Sequence, residues 1–204
     1  MGKYYFDFSR IESKQRKKLL TGSVVPRPIA WITTKNENGS INLAPFSYFN
    51  AFSETIVGVS FSVDGDNHKD TYHNVLREKE AVIHIVDVTL MEMMDKSSRP
   101  LEKNESELEW LNLPTTESRQ VGVDALQDPL IRIEVRFEQE IPLMSPQNHM
   151  ESVLVLFRVV GMVVDERVYD ADKGYILTDN LRPLARLGGP HYGTIAPLDF
   201  KRQY

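Results

Sequence analysis

Lys69-Asp70-Thr71 stands where the sequence changes from a strand-like to a helix-like period. A helix start offers free backbone N–H groups and the positive end of the helix dipole. Lysine adds a mobile cation there and threonine a hydroxyl. Such a group can hold a phosphate, or it can be a plain helix start capped by Asp70 with Lys69 in water. Residues 42–53, NLAPFSYFNAFS, interleave small and polar residues with Phe46, Tyr48, Phe49 and Phe52. Small residues let the main chain approach a flat ring and donate amides to its polar edge. The same pattern suits an ordinary strand-to-loop connection whose aromatics are core. Upstream, Pro26 and Pro28 stiffen the chain on both sides of Arg27 and can aim its guanidinium at an anion. Trp31 suits a ring-stacking role and a wall position equally. Arg186 to Tyr192, RLGGPHY, reads as a Gly-rich turn with His191 and Tyr192 beyond it.

Other chemistries are excluded by what the sequence lacks. It contains no Cys, so disulfides, thiolate metal sites and Cys nucleophiles are absent. His68 and His73 have the wrong spacing for one helix face, and no HExxH accompanies them. There is no GxSxG, Walker A or GxGxxG motif, so a bound nucleotide would be held by other means. The net charge of −5, from 24 basic and 29 acidic side chains, argues against nucleic-acid binding. No apolar run reaches membrane-spanning length and the N-terminus has no signal-peptide core, so a soluble cytoplasmic protein is expected.

The elements that would position these residues are mostly strands. Residues 29–34 and 40–46 flank the polar turn Asn36–Gly39 and predict a β-hairpin. Residues 55–63 and 81–87 read as further strands, with His84 in packing or a hydrogen-bond network. Tyr72, Val75, Leu76 and Lys79 recur at helical spacing, for a helix starting near Asn67 to Asp70. Short helices are predicted over 9–20, with Ser9 as N-cap, and over 89–98, capped by Thr89 with Glu92 three residues on. Residues 99–128 are polar and irregular, with a local packing turn at ESELEWLNL. Residues 129–143 alternate, with Ile131, Ile133, Val135 and Phe137 on one face and Arg132, Glu134, Arg136 and Glu138 on the other. Residues 152–168 form one long strand bent at Gly161. Hairpins and irregular crossovers favour a mainly β, antiparallel barrel over a doubly wound sheet.

Three motifs carry a resemblance to a known family. PRPIAW at Pro26–Trp31, the Lys69-Asp70-Thr71 triplet, and APFSYFNAFS at Ala44–Ser53 match it, the last at eight specified positions of APFS-x-F-NA-x-S. Together with RLGGPHY, they resemble the flavin-reductase-like family of FMN-binding split barrels. The likeness is nearest the branch that holds flavoredoxins and the reductase components of two-component monooxygenases. It covers roughly residues 20–195 of one domain spanning 1–204. Two departures stand out: Glu54-Thr55-Ile56-Val57 replaces a Pro pair, and His84 stands where the family often has Asn.

The resemblance implies an antiparallel FMN-binding split β-barrel, a homodimer, with Lys69, Asp70 and Thr71 at the FMN phosphate. It implies that Ser47, Asn50, Ala51, Phe52 and Ser53 line the ring, that Phe46 and Phe49 are core, and that Arg27, Trp31, His191 and Tyr192 lie nearby. The implied activity is reduction of FMN by NADH or NADPH, supplying a partner monooxygenase and needing no side-chain acid or base. Electron transfer of the flavoredoxin type and a non-catalytic FMN-binding module are the alternatives. A haem or pyridoxal-phosphate use of the barrel fits less well, because the matched loop belongs to the flavin branch.

Overall fold

Most of the β-rich sequence goes into one curled antiparallel sheet. The computed structural model describes residues 2–63, 69–99 and 105–200. Helix α1 (Ser13–Ser23) and the short β1 (Arg27–Pro28) precede a hairpin of β2 (Ala30–Lys35) and β3 (Ile41–Phe46). Then come β4 (Phe49–Ala51), β5 (Ile56–Ser62), α2 (Asp70–Glu78) and β6 (Glu80–Ile85). Helices α3 (Met91–Lys96) and α4 (Glu107–Leu111) and the short strands β7 (Thr115–Thr116) and β8 (Ala125–Leu126) lead to the long pair β9 (Ile131–Met144) and β10 (Met150–Val164). The remainder holds β11 (Tyr169–Asp170), β12 (Tyr175–Ile176), α5 (Thr178–Leu181), β13 (Leu184–Arg186) and β14 (Tyr192–Thr194).

Seven strands form the main sheet in the order β3-β2-β6-β9-β10-β5-β4, antiparallel throughout. Its two edges, β3 and β4, are consecutive in the chain and joined only by Ser47 and Tyr48. Opposite edges so tethered must face each other, so the sheet curls into a barrel left open along one seam. The interior is filled from alternate positions, among them Ile32, Val59, Phe61, Ile83, Val155 and Phe157. A second cluster on the outside packs Trp31 and Leu43 against Met94 of α3 and Leu108 of α4. A small sheet, β1-β13-β14, lies apart from the barrel sheet in pairing.

The hairpin forms as its turn chemistry requires: the Asn36 N–H donates to the Ser40 carbonyl at 2.8 Å and Gly39 takes φ 86°. Elsewhere the structure departs from expectation for local reasons. Helix α1 starts at Ser13, because the Ser9 hydroxyl and amide both bond to Asp7 Oδ1 and close a separate turn. Helix α2 stops before Lys79, which adopts φ 61° as its C-cap. The cap beyond β6 is Asp87, whose carboxylate accepts from the Thr89 N–H at 2.7 Å, so the Thr89–Glu92 box does not form. Glu134 is buried instead of facing water, because it accepts the backbone N–H groups of Arg119 and Gln120 at 2.9 and 2.5 Å. Strand β10 does shift register around Gly161, where a Cβ would lie 3.2 Å from Gln120 and 3.3 Å from Glu134. It ends at Val164, since Asp165 caps a 3-10 turn over Glu166–Val168. Residues 105–128 are not wholly irregular: they hold α4, β7 and β8. Helix α2 begins at Asp70, within the expected start of 67–70, and Asn67 and His68 lie outside the described residues.

Candidate functional site

A groove of about 830 Å³ opens along the seam of the barrel. Pro45, Phe46, Ser47 and Tyr48, at the junction of the two sheet edges, form one side with Ser60 and Ser62 of β5. The two serines alternate with the buried Val59 and Phe61, so period 2 alone aims them outward. Across from them stand Lys14, Lys17, Lys18 and Thr21 of α1. Their spacing of i, i+3, i+4 and i+7 places all four on one helical face. Lys69, at the start of α2, and the turn from Arg186 to Gly189 complete the rim.

The groove is strongly cationic although the chain is acidic overall. Lys14, Lys17, Lys18, Arg27, Lys69 and Arg186 all line it, and no Asp or Glu does among the described residues. Ser47, Ser60, Ser62 and Thr21 add hydroxyls, while Phe46, Tyr48 and Leu187 add apolar surface. Pockets for small ligands commonly run about 300–1,000 Å³, lined by apolar groups with a few convergent polar ones. This groove matches that size and carries more positive charge than the description requires.

Arg27 is 7% exposed and acts as a strut. Its Nη1 donates to the carbonyls of Thr21 and Val24 at 2.6 and 2.8 Å, and its Nη2 to that of Leu187 at 3.1 Å. These bonds fasten the end of α1 to the Arg186–Gly189 turn. Its Nε is buried with no partner among the described residues. Arg186 donates to the Gly189 carbonyl at 2.7 Å and lies 4.7 Å above the Tyr192 ring. The Tyr192 hydroxyl in turn donates to Asp95 Oδ1 at 2.7 Å. Burial, with this bond and the Asp95 charge, pushes its pKa up.

Among the residues proposed from sequence, Arg27, Ser47 and Lys69 line the groove, and the others are placed otherwise. Trp31 points to the outer cluster, 1% exposed, its indole N–H donating to Ser97 Oγ at 2.8 Å; it is a wall residue. Thr71 is on the buried face of α2, its hydroxyl accepting from Asn42 Nδ2 at 2.9 Å, so it belongs to an internal network. Asp70 is the first residue of α2, after an N-cap at Lys69 that makes no side-chain capping bond. The amides of Ala51, Phe52 and Ser53 are engaged locally, with Asn50 Oδ1 and the Ile56 carbonyl. The Ser53 hydroxyl accepts from Ile56 N. The Asn50–Ser53 segment therefore closes the β4–β5 turn and does not line the groove. His191 and Tyr192 act through the rim, the His191 carbonyl accepting from Leu187 N and Tyr192 supporting Arg186.

No motif marks the α1 face, yet its helical spacing is visible in residues 14–21. Arg186 falls in RLGGPHY, but its place on the rim depends on the strand pairing of Arg186 with Arg27, far apart in sequence. His84 satisfies the hydrogen-bond reading: Nδ1 pairs with the Trp31 carbonyl at 2.8 Å and Nε2 accepts from Leu126 N at 2.9 Å. No cluster of three or more potential metal ligands occurs among the described residues. Nor is any helix there long and apolar enough to cross a membrane.

Comparison with known proteins agrees with this architecture. Residues 21–184 match the model of the flavin reductase like domain. The uncharacterized protein YwrF of Bacillus subtilis is 37% identical over 194 residues, covering 94% of this chain and 95% of that protein. The crystal structure of nitrilotriacetate monooxygenase component B from Bacillus cereus superposes with a TM-score of 0.93 at 32% identity, over 99% of this chain and 100% of the other. The 2-nitrobenzoate 2-nitroreductase of Pseudomonas fluorescens has a TM-score of 0.83 at 27% identity, over 98% and 100%. The fold is thus shared with these proteins along their whole length, and this chain belongs to the flavin-reductase-like family.

Proposed function

We propose that the seam groove binds FMN and that the protein is an NAD(P)H-dependent flavin reductase. It would work as a homodimer that supplies reduced flavin to a partner monooxygenase. The observation that carries the reading is the groove itself: six cations, five hydroxyl-bearing side chains and a short apolar wall, with no carboxylate among the described lining residues. The residues present fit FMN. A phosphate monoester brings about two negative charges and strong acceptor oxygens. Lys69, at an α2 start that lacks a side-chain cap, would hold it together with Arg186. Arg27 also lines the groove, with its guanidinium held by three backbone carbonyls. Phe46 and Tyr48 offer apolar surface for the ring, and Ser47 and Ser60 can donate to its polar edge.

When bound, the flavin supplies the hydride chemistry. The chain's part is to bind, orient and shield. Arg27 holds α1 against the Arg186–Gly189 turn, which keeps the groove's width fixed. Tyr192 holds Arg186 on the rim. No proton-transferring side chain is required, because the flavin carries the hydride chemistry. The component B name of the Bacillus cereus structure supports a monooxygenase partner. Exposed Tyr4, Tyr5, Leu198 and Phe200, toward the two chain ends, offer apolar surface to a second copy.

The test is an absorbance titration of the purified protein with FMN, then anaerobic addition of NADH and, separately, NADPH. Bound flavin bleached by either nucleotide is the expected result. Bound flavin that stays oxidised with both would replace the reductase by an electron-transfer role. A protein without affinity for FMN would end the flavin reading.

A further inference from the structure

Helix α1 breaks two local rules at once. Its first turn carries no acidic residue and a lysine instead, against the helix dipole. Its Lys14, Lys17 and Lys18 stand at i, i+3 and i+4, where like charges repel. None of the eleven residues of α1 is buried, so core packing does not compensate. Arg16, on another face of the same helix, donates to the Phe8 and Ile11 carbonyls. Lys14, Lys17 and Lys18 make no ion pair or side-chain hydrogen bond among the described residues, and all three face the groove. Local rules broken without a structural gain are expected where a ligand compensates.

The charge balance points the same way. An FMN phosphate of about two negative charges is met by Lys69 and Arg186 on the rim. The three α1 lysines remain, on the side of the groove across from the β-sheet residues. A groove of about 830 Å³ lies toward the upper end of the range for small-ligand sites, roughly 300–1,000 Å³, which leaves room beside a mononucleotide.

We propose that Lys14, Lys17 and Lys18 form a second phosphate subsite, taking the ribose 2′-phosphate of NADPH and setting a preference for NADPH over NADH. The assignment rests on the flavin reading above for the place of FMN, but the subsite itself can be tested without flavin chemistry. The 2′-phosphate is the one group that distinguishes the two nucleotides, and it adds about two negative charges where only hydroxyl stands in NADH. Clustered lysines recognise such a group as point charges, and Thr21, one turn beyond Lys17 and Lys18, adds a hydroxyl.

The experiment uses isothermal titration calorimetry of the FMN-loaded full chain with two probes, adenosine 2′,5′-bisphosphate and AMP. The variant is the triple substitution Lys14→Gln, Lys17→Gln, Lys18→Gln, which keeps helix propensity because glutamine is nearly as good a helix former as lysine. The bisphosphate should bind the wild type at least about ten-fold tighter than AMP, the effect of one charge-assisted contact. In the variant the preference should fall below about two-fold, while FMN is still bound. The ratio of KM values for NADH and NADPH should collapse in parallel.

Equal affinity for the two probes, or a preference that survives in the variant, would overturn the assignment. So would loss of FMN binding in the variant, which would give the lysines to the flavin phosphate. If FAD bound more tightly than FMN and only the wild type showed it, the second phosphate would be the flavin's own and the NADPH role would fall. Bisphosphate preference in a protein that never binds FMN would keep the subsite and remove the flavin reading alone.

Discussion

Lys69 is exposed and stands at the N-cap of α2, so its removal leaves the core untouched. Lys69→Ala should weaken FMN binding by about 1–3 kcal/mol, the scale of a hydrogen bond to a charged group, with an unaltered melting temperature. Fluorescence quenching of FMN on titration would measure it, and an unchanged dissociation constant would take Lys69 out of the phosphate site. Trp31 is the opposite case. Trp31→Phe should cost about 1–2 kcal/mol of stability, because the Ser97 hydroxyl loses its donor and an indole-sized volume shrinks. FMN affinity should not move, since the side chain lies on the outer cluster; a loss of affinity would return Trp31 to the site. Sequence alone could not separate these two residues. Both fall in family motifs, but Trp31 and its neighbours Ala30 and Ile32, which face the barrel interior, differ only in strand parity, which needs the register of β2 against β6.

At the level of elements, the barrel strands were legible and the groove's far side was not. The β2–β3 hairpin and the alternation of β9 follow from local turn chemistry and period 2, which a single sequence carries. The buried Glu134 does not, because its partners Arg119 and Gln120 lie in an irregular loop whose return to β9 is a long-range event. The α1 wall failed to register for a different reason. Its lysine face was plain in the spacing, but it became a groove wall only through Arg27 and the turn at Leu187, far apart in sequence. That docking is close: a Cβ on Gly188 would lie 3.2 Å from the Gly22 Cα, and main chain cannot swing aside as a side chain can. Gly188→Val should therefore push α1 off the turn and widen the groove. FMN affinity should fall at least about ten-fold while barrel stability drops by less than about 1.5 kcal/mol. Paired binding and urea-unfolding curves would show it; equal losses in both would mean that α1 is integral to the barrel's stability.

For the molecule as a whole, acid sensitivity is written into His84. Burial, aided by the nearby Arg132 charge, lowers its pKa to about 4 against an opposing bond to the Trp31 carbonyl. Because Nε2 accepts from Leu126, Nδ1 carries the proton and the ring is neutral in the folded state. The unfolded chain takes up a proton near pH 6.5 and the folded chain only near 4. Between those values the unfolded state binds more protons, so stability is full above about 6.5 and declines as the pH falls toward 4, by up to about 3 kcal/mol. Glu107, raised mainly by burial, has the opposite sign: its share declines as the pH rises past its ordinary value. His84→Asn should destabilise the protein by about 1–3 kcal/mol near neutral pH and narrow its gap to the wild type near pH 4.5. Urea midpoints at the two pH values would measure the gap, and a constant difference would mean that His84 does not titrate with unfolding.

Glu107 has another consequence, outside acid–base chemistry. A barrel open along a seam presents two edge strands, and an edge with free backbone groups is a template on which a further strand can grow. Strand β4 is only three residues long, and β3 carries Pro45. The Leu43 N–H donates to Glu107 Oε2 at 2.9 Å, and the Ile41 carbonyl accepts from Ser106 Oγ at 2.6 Å. The segment around α4 thus caps the β3 edge with side chains where a neighbouring molecule's backbone would otherwise pair. Glu107→Ala should lower the temperature at which light scattering rises on heating, ahead of any matching loss in the unfolding midpoint. Scattering that tracked unfolding alone would show the edge to be protected by its proline and the short β4. The seam that opens the groove is thereby kept from becoming a nucleus for polymerisation.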